Sequence, residues 1–231
     1  MKLREAKVLV TGGSSGIGEA TARLLIERCA RVAVCARGEE KLRSTAREIG
    51  AVAVAADVGD ESDVRRLVSR TVEELDGLDV LVNNAGRGRS APLLESTADD
   101  YREVWETNVL GAALVAREVA RHLVEHRGGS IVNVASTAGQ RGFAGGGPYV
   151  SSKFALTGLT ECWRAELRKH DIRVMQINPS EVLTGFGRDG QPADDPSKLH
   201  AEDIAHTIAC MLEMDDRGFI PEVSVWATNP K

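Results

Sequence analysis

The chain alternates short apolar runs with longer segments of helical periodicity, and no other feature of the sequence constrains its fold as strongly. The apolar runs are rich in valine, isoleucine and alanine and lie at 7–11, 31–36, 51–57, 78–84, 130–136, 172–179 and 219–227. Segments with helical spacing lie between them, at 16–29, 38–49, 60–76, 99–126, 149–169 and 201–213. Strands that are apolar throughout are typical of a sheet covered on both faces, and strict alternation with helices favours parallel pairing. The sequence therefore predicts an α/β fold, a doubly wound three-layer sandwich around a parallel, mostly seven-stranded sheet.

Length and composition bound the organisation of this fold. With 231 residues, of which 42% are hydrophobic and 27% are charged, the chain has the size and balance of one globular domain with a large core. We therefore expect a single domain that spans residues 1–231. The one long stretch without a strand or helix pattern is 185–200, which is rich in Gly, Pro and Asp. We interpret it as a substrate loop rather than a linker between domains.

Charge and hydropathy exclude several kinds of partner. A net charge of -5 and a pI near 5.6 are unfavourable for gripping a phosphate backbone, so we expect no nucleic-acid partner. The apolar runs are too short to cross a bilayer, and the first residues enter a strand without a pattern of the secretory kind. We therefore expect no membrane partner and a cytoplasmic location.

The cysteines and histidines do not form a metal-ligand pattern. The four cysteines are Cys29, Cys35, Cys162 and Cys210. They are scattered, with no CxxC pair and no neighbouring histidine to complete a zinc set, and we expect reduced and mostly buried thiols. His122 and His126 are one helical turn apart, but the sequence around them lacks the glutamate of a metalloprotease helix and a third ligand. No metal site is predicted.

A glycine-rich turn follows the first predicted strand. Gly12, Gly16 and Gly18 lie between that strand and the first turn of an amphipathic helix. Glycines there permit a tight turn and the close approach of a pyrophosphate, which the free N–H groups of a helix N-terminus can bind. Gly18 is followed by Glu19 and Ala20 instead of the Lys and Ser or Thr of a P-loop, so phosphoryl transfer is excluded. The predicted contacts in this turn are Gly12, Ser14, Ser15, Gly16, Ile17 and Gly18. A tight turn without a ligand is the alternative interpretation.

Residues at the ends of the second and third strands indicate which dinucleotide would bind. An acidic residue at the end of the second strand binds the ribose 2′-hydroxyl of NAD, whereas an arginine there accommodates the 2′-phosphate of NADP. The sequence has Ala36 and Arg37 at this point, which favours NADP and leaves NAD possible. Asp57, with Val58 beside it, is expected to contact the adenine, whereas Asp60 is expected to be an ordinary helix N-cap.

Four polar residues are expected to meet near the carboxyl ends of the strands. Tyr149 and Lys153 are four residues apart and share one face of a helix. Ser136 ends the fifth predicted strand, and Asn108 lies inside the long helix that precedes it. Ligands of open α/β sheets bind outside the carboxyl ends of the strands, so these side chains can converge on one ligand. Alone, a Tyr-x-x-x-Lys spacing usually belongs to a solvated helix face.

Together these motifs resemble the short-chain dehydrogenase/reductase family, in its shorter single-domain branch. The motifs that carry the resemblance, in the family's order and spacing, are 11–18 (TGGSSGIG), 83–86 (NNAG), Asn108, Ser136, 149–153 (YVSSK) and 179–184 (PSEVLT). They cover almost the whole chain, and six motifs in register are far more specific than any single one. Ser180 departs from the glycine that is usual after Pro179 in the family.

The resemblance implies a Rossmann fold and a role for each polar group. Tyr149 would be the acid or base, Ser136 would donate a hydrogen bond to the substrate oxygen, and Lys153 would lower the pKa of Tyr149 and bind the nicotinamide ribose. Asn108 would hold a water of a proton relay. Further cofactor contacts implied by the family are Asn84, Ala85, Gly86, Pro179, Val182 and Thr184. Family members commonly pair through the helices that carry Asn108 and Tyr149, so a homodimer or homotetramer is expected.

The sequence thus predicts an NADP(H)-dependent oxidoreductase that interconverts a carbonyl and a primary or secondary alcohol of a small molecule. Two alternatives stay open, an NAD-dependent alcohol dehydrogenase with the same catalytic residues and a non-catalytic regulator that binds a dinucleotide. Arg87, Arg89 and Arg141 are expected in loops around the mouth of the site. Arg141 could meet an anionic substrate there, although an exposed arginine without a ligand is the commoner outcome.

Overall fold

The computed structural model describes residues 2–187, 195 and 197–228. In this part of the chain seven strands form one parallel sheet in the order β3-β2-β1-β4-β5-β6-β7. The strands are β1 (Lys7–Thr11), β2 (Arg31–Ala36), β3 (Val52–Ala55), β4 (Val80–Asn83), β5 (Gly129–Val134), β6 (Ile172–Pro179) and β7 (Glu222–Val225). The α-helices are α1 (Gly16–Glu27), α2 (Glu39–Ile49), α3 (Glu61–Leu75), α4 (Ala98–Trp105), α5 (Ala112–Glu125), α6 (Gly147–Leu167) and α7 (Ala201–Glu213). The predicted α/β fold with a seven-stranded parallel sheet is confirmed.

Helices cover both faces of the sheet, as the apolar strands require. Along β1 the side chains alternate, so that Val8 and Val10 pack in a core with α1, α2 and α7 while Leu9 packs in a second core with α3 and α5. All three side chains are fully buried. Burial on both faces explains why these strands show no alternation of apolar and polar residues.

The order of the strands places a crevice at the carboxyl edge of the sheet. The chain builds β1, β2 and β3 outwards in one direction and then returns to build β4 on the other side of β1. The loops after β1 and β4 therefore leave neighbouring strands in opposite directions, which is the arrangement that opens a ligand site in doubly wound sheets.

One predicted helix is wrong in form. The segment 99–126 reads as one continuous helix, but the structure divides it into α4, a π-helical turn (Glu106–Gly111) and α5. Gly111 explains part of the departure, because a Cβ on Gly111 would lie only 2.8 Å from Cγ2 of Val58, so the backbone lies close to the loop after β3. π-helical turns are rare and are frequent at functional sites.

The starts of α3 and α6 are explained by single residues, Asp60 and Pro148. Asp60 caps α3 as expected, since its Oδ1 accepts a hydrogen bond of 2.8 Å from the backbone N–H of Asp63. Pro148 lies in the first turn of α6, where its missing N–H has no intrahelical partner to lose.

The cysteine prediction is only partly right. All four cysteines are free thiols, but Cys29, Cys162 and Cys210 are exposed and Cys35 alone among them is buried. Cys29 lies in the turn after α1, and Cys162 and Cys210 lie on outward faces of α6 and α7, positions that an apolar count of the sequence does not reveal.

Part of the predicted substrate loop can be placed. Residues 188–194 and 196 lie outside the described residues. On either side of them Val182 and Leu199 form an isolated parallel bridge, and the N–H of Leu183 donates to the carbonyl of Leu199 at 2.7 Å. Within the described residues no helix combines the length and apolar character needed to cross a bilayer.

The fold requires glycine at position 129, because there is no room for a Cβ atom there. Its φ is 145°, and a Cβ there would lie 2.6 Å from Cδ2 of Leu123 and 2.7 Å from the carbonyl oxygen of Asp79. That carbonyl accepts the N–H of Ser130 at 3.0 Å and so aligns β4 with β5.

Replacement of Gly129 by alanine is expected to lower the free energy of unfolding by about 2 kcal/mol or more, from backbone strain and steric overlap. Gly218→Ala is the matched control, because a Cβ at Gly218 meets no atom of the described residues within 4 Å and its φ is not positive. Its effect should stay within about 0.5 kcal/mol. Urea unfolding followed by circular dichroism measures both, and equal losses in the two variants would contradict the packing argument.

Candidate active site

A cleft of about 1110 Å³ runs along the carboxyl edge of the sheet. It exceeds the roughly 300–1,000 Å³ typical of sites for drug-sized ligands, so it has room for an elongated ligand. The predicted site residues that line it are Gly12, Ser14, Ser15, Gly16, Ile17, Arg37, Asp57, Val58, Asn84, Ala85, Gly86, Ser136, Tyr149, Lys153, Pro179, Val182 and Thr184. Two predicted residues, Gly18 and Asn108, are buried behind the wall of the cleft.

The glycine turn is closely packed against its neighbours. Gly12 has a φ of 67°, and a Cβ there would lie 2.9 Å from Nδ2 of Asn84. A Cβ on Gly18 would lie 2.3 Å from the carbonyl oxygen of Gly12. Gly18 is therefore needed for α1 to pack on the turn and does not line the cleft itself.

The N-terminus of α1 has the properties of an anion site. Its N-cap, Ser15, makes no side-chain cap hydrogen bond. Ser14, Gly16 and Ile17 line the cleft at the same place, where the first N–H groups of a helix carry a partial positive charge. The residues present therefore fit the pyrophosphate of a dinucleotide.

Hydrogen bonds fix the glycine turn to the loop after β4. Oγ1 of Thr11 accepts from the N–H groups of both Asn84 and Ala85, each at 3.0 Å. Nδ2 of Asn84 in turn donates to the carbonyl of Thr11 at 2.9 Å. The two loops that border the crevice are thus held at a fixed separation.

Positive charge gathers at the end of the cleft next to β2. Arg37 lines this end, and Lys41 in the first turn of α2 lines it too. Asp57 faces Arg37, with Oδ2 at 3.8 Å from Nη1, and both side chains are about half exposed. The other carboxylate oxygen of Asp57 accepts the N–H of Gly59 at 2.9 Å. Sequence reasoning missed Lys41, although its position four residues after Arg37 was the available signal.

Tyr149 and Lys153 lie one turn apart in α6, at the other end of the cleft. The ammonium of Lys153 is buried and donates to the carbonyl of Val134 at 2.9 Å, at the end of β5. Nζ of Lys153 lies 5.7 Å from the centroid of the Tyr149 ring. Burial lowers the pKa of Lys153 to about 8, so most of the side chain is still charged at pH 7.

The hydroxyl of Tyr149 is buried beside Ser136. Burial raises the pKa of Tyr149 above its ordinary value, while a hydrogen bond with Ser136 acts in the opposite direction. Ser136 is held in place by Ala138, whose N–H donates to its Oγ at 3.1 Å. The ammonium of Lys153 is directed to the carbonyl of Val134, and its expected lowering of the pKa of Tyr149 stays a prediction.

Asn108 is buried, and its side-chain amide connects three segments of the chain by hydrogen bonds. Its Oδ1 accepts the N–H of Arg87 at 2.7 Å, and its Nδ2 donates to the carbonyl of Arg87 and to Oγ of Ser152, both at 3.0 Å. Oγ of Ser152 in turn donates to the carbonyl of Tyr149 at 2.7 Å. Both hydrogens of the Asn108 amide are used to connect the π-helical turn with the loop after β4 and with α6.

Two aromatic residues that sequence reasoning did not single out line the cleft beside Tyr149. They are Phe143, in the loop after β5, and Phe186, in the segment after β6. The ring centroid of Phe186 lies 5.8 Å from that of Tyr149. The available signal was their occurrence in loops of a chain in which only 4% of residues are aromatic.

The two histidines that are one helical turn apart in the sequence lie side by side at the C-terminal end of α5. His122 lies in the last turn of α5 and His126 is its C-cap, with ring centroids 4.0 Å apart. Burial, and then the neighbouring His126, lower the pKa of His122. Across the described ranges no three His, Cys, Asp or Glu side chains are grouped so that they could hold a metal ion.

Known proteins are similar to this chain in sequence and in structure. A family model of short chain dehydrogenases matches residues 6–194. A sorbitol dehydrogenase of Cereibacter sphaeroides is 38% identical over 84% of this chain and 76% of its own length. The structure is similar to that of an alcohol dehydrogenase from the archaeon Thermococcus sibiricus in complex with 5-hydroxy-NADP, with a TM-score of 0.86, 27% identity and coverage of 97% of this chain and 98% of that one. It is also similar to a 3-ketoacyl-(acyl-carrier-protein) reductase from Brucella melitensis in complex with NADH, with a TM-score of 0.88, 28% identity and coverage of 96% and 97%.

The family match spans more than half of the chain and includes the glycine turn and the Tyr149–Lys153 pair. The chain therefore belongs to the short chain dehydrogenase family and is an oxidoreductase that uses a nicotinamide dinucleotide cofactor.

Proposed function

We propose that this chain, as one domain over residues 1–231, is an NADP(H)-dependent oxidoreductase that interconverts a carbonyl and an alcohol in a small molecule. The observation that carries the proposal is the convergence of Ser136, Tyr149 and the buried Lys153 on one cleft. The same cleft extends to the helix N-terminus at Gly16 and to Arg37. A site for proton transfer and a site for a phosphorylated nucleotide are thus continuous.

The cofactor, when bound, would supply the hydride in reduction and accept it from the alcohol in oxidation. The N-terminus of α1 binds its pyrophosphate, and Val182 and Thr184 line the cleft where its nicotinamide end would lie. Gly16 and Thr184 approach each other across this region, since a Cβ on Gly16 would lie 3.3 Å from Cγ2 of Thr184. Because Gly16 has no side chain, the cleft between Gly16 and Thr184 is not narrowed at this point.

The chain's own residues move the proton. In reduction the hydroxyl of Tyr149 donates its proton to the substrate oxygen, and Ser136 orients that oxygen by a hydrogen bond. Burial, which keeps Tyr149 protonated, suits this direction. The charge of Lys153 stabilises the phenolate that Tyr149 becomes once its proton has left. In oxidation the same phenolate accepts the proton of the alcohol.

The preference for NADP is supported by Arg37 and Lys41. Both line the adenosine end of the cleft, and β2 ends without a carboxylate that would repel a 2′-phosphate. One observation favours the NAD-dependent alternative, the approach of Asp57 to within 3.8 Å of Arg37, which partly offsets its charge. We favour NADP because Lys41 adds a second cation, and no ion pair of Lys41 is seen among the described residues.

Self-association as a homodimer or homotetramer is part of the proposal. It is supported by an apolar surface where α4, the π-helical turn and α6 meet, with Trp105, Leu110 and Phe154 exposed. Nε1 of Trp105 donates to Oγ of Ser151 at 3.1 Å, so α4 and α6 form one continuous face. A cytoplasmic location is supported by the four free thiols, since a reducing compartment preserves them.

Replacement of Tyr149 by phenylalanine is expected to lower kcat/KM for reduction of carbonyl compounds by about 10²- to 10⁴-fold, the usual contribution of a general acid. The Kd for NADPH should stay within about twofold, because the hydroxyl lies at the chemical end of the cleft. NADPH oxidation over a panel of aldehydes, ketones, oxo acids and quinones measures the rate, and fluorescence titration measures the Kd.

Tyr101→Phe is the matched control, since it removes the same hydroxyl from the chain's other tyrosine. Tyr101 lies outside the cleft lining, so its variant should keep kcat/KM within about threefold of the wild type. A Tyr149→Phe variant as active as Tyr101→Phe would contradict the proposed mechanism. A wild type that binds NADPH but oxidises it with no member of the panel would favour a non-catalytic regulator.

The rate of reduction is expected to fall as pH rises through about 8. The pKa of Lys153 lies below its ordinary value of 10.5, so the ammonium is fully present well below pH 8 and is lost above it. Tyr149 has a raised pKa and keeps its proton through the same range. A profile of kcat/KM from pH 6 to 10 tests this. The Lys153→Arg variant should not show the fall in kcat/KM near pH 8, because a guanidinium stays charged. A wild-type profile that is flat to pH 9.5 would refute the assignment of this fall to Lys153.

Arg37→Ala and Lys41→Ala are each expected to lower the ratio of kcat/KM with NADPH to kcat/KM with NADH by about 10- to 100-fold, the value of a charge-assisted hydrogen bond to phosphate. Arg43→Ala is the control, because Arg43 lies in the same helix but pairs with Glu39 at 2.6 Å and does not line the cleft. A wild type that prefers NADH, or a ratio equal in all variants, would support NAD as the cofactor.

A further inference from the structure

The mouth of the cleft near Tyr149 combines apolar rings with one arginine. Phe143 and Phe186 line the cleft together with Tyr149, and the two phenylalanines are 54% and 46% exposed. Arg141 lines the same part of the cleft and lies over the ring of Trp226, with its Cζ 4.6 Å from the ring centroid. Trp226 follows β7 and is itself 46% exposed.

Exposed aromatic side chains are concentrated at this place. The large exposed apolar side chains of the described residues include five aromatic ones, and Phe143, Phe186 and Trp226 are three of the five. The other two, Trp105 and Phe154, belong to the α4–α6 face described above. When an apolar ligand covers half-exposed aromatic rings, apolar surface is removed from water and the free energy of the complex is lowered. The mouth therefore suits a substrate with an apolar body.

Arg141 differs from the other two arginines around the mouth. Arg87 pairs with Glu103 at 3.3 Å, and Arg89 pairs with Asp100 at 2.5 Å. In the part of the chain that the structure describes, Arg141 has no such carboxylate partner and contacts the face of Trp226 instead. A guanidinium stacked on an aromatic ring keeps its in-plane N–H groups available, and the ring fixes the plane in which they point.

Glu181 does not neutralise Arg141. It is a carboxylate that lines the cleft, but its Oε2 lies 2.6 Å from Nζ of Lys198. The negative charge of Glu181 is therefore offset by Lys198, which lies nearer to α7 in the same connection between β6 and α7. The substrate end keeps an excess of positive charge through Arg141 and the buried Lys153.

The loop that carries Arg141 is held to the edge of the sheet. The N–H of Arg141 donates to the carbonyl of Thr137 at 3.2 Å. The neighbouring Gln140 donates from Nε2 to Glu222 of β7 at 2.7 Å, and the same oxygen of Glu222 accepts from Nδ2 of Asn178 in β6 at 2.6 Å. Arg141 thus stands at a defined place, on the loop that also begins with Ser136.

We propose that the substrate is an apolar carbonyl compound, or the corresponding alcohol, that carries a carboxylate remote from the reacting carbon, and that Arg141 binds this carboxylate. This inference rests on the function proposed above and adds the class of substrate. Phe143 and Phe186 contact the apolar body, and Trp226 orients the guanidinium of Arg141. Ser136 and Tyr149 bind the oxygen that reacts.

The test compares 3- and 4-formylbenzoate with their methyl esters, which keep the aldehyde and the ring but lack the charge. The wild type should show the higher kcat/KM with at least one of the two acids, because its carboxylate reaches Arg141. Arg141→Met should lower the ratio of acid to ester by about 10- to 100-fold and leave the rate with the ester nearly unchanged, as expected for loss of a hydrogen bond to a charged group. Trp226→Leu should lower the same ratio by a smaller factor. Arg217→Met, in the loop before β7, is the control and should not change it.

The outcomes separate this inference from the proposed function. Aldehyde reduction with esters preferred, and a ratio unchanged in Arg141→Met, would overturn the carboxylate subsite and leave the oxidoreductase function intact. Inactivity of the wild type with all four compounds would count against the function proposed above. The subsite is then judged by calorimetric binding of the two acids to the wild type and to Arg141→Met with NADP present. Equal affinities would overturn it, and a loss confined to Arg141→Met would support it.

Discussion

Ser152 and Lys153, two neighbouring residues of α6, fix the helix that carries Tyr149, and the geometry of the chemical end depends on them. Ser152 accepts a hydrogen bond from Asn108 and so connects α6 with the π-helical turn. Lys153 donates from its buried ammonium to the carbonyl of Val134 and so connects α6 with the end of β5. An ammonium removed from water is costly, and the lowered pKa of Lys153 is the measure of that cost. The protein retains it because the same contact holds α6 on the sheet. The position of the Tyr149 hydroxyl beside Ser136 follows from this anchoring.

Much of the fold could be predicted from the sequence because its cause is local and repetitive. Apolar runs of the right length recur between helical segments, and burial on both faces leaves a plain signature in composition. The break in 99–126 leaves none. A π-helical turn adds one residue to a turn while the apolar spacing on either side stays helical, so the pattern still reads as one helix. Asn108 lies in this turn and is almost fully buried, which the helical pattern alone does not reveal.

The candidate site likewise contains features that the sequence predicts and features that it does not. Its backbone elements, such as the glycine turn and the Tyr149–Lys153 spacing, are set by neighbours in the chain and could be predicted. Contacts between distant segments leave only weak signals in the sequence, because Phe143 and Phe186 reach the cleft through the packing of loops that are far apart in the chain. Gly146 and Gly147 belong to this second group too. A Cβ on Gly146 would lie 2.7 Å from Cε2 of Phe143, and one on Gly147 would lie 2.7 Å from the hydroxyl of Tyr101. These glycines are packing positions, because a side chain at either one would overlap an aromatic residue from another segment.

The hydrogen bonds of Glu222 have a consequence for how such a protein can diversify. They tie β7 to the loop after β5, so the outermost strand of the sheet helps to shape the mouth near Tyr149. The contacts of Thr11 and Asn84 that hold the nucleotide end lie between β1 and β4, on inner strands. The two ends of one cleft are therefore maintained by separate sets of bonds. Substitutions on the outermost strand can therefore change which substrates enter the cleft without altering the residues that bind the dinucleotide.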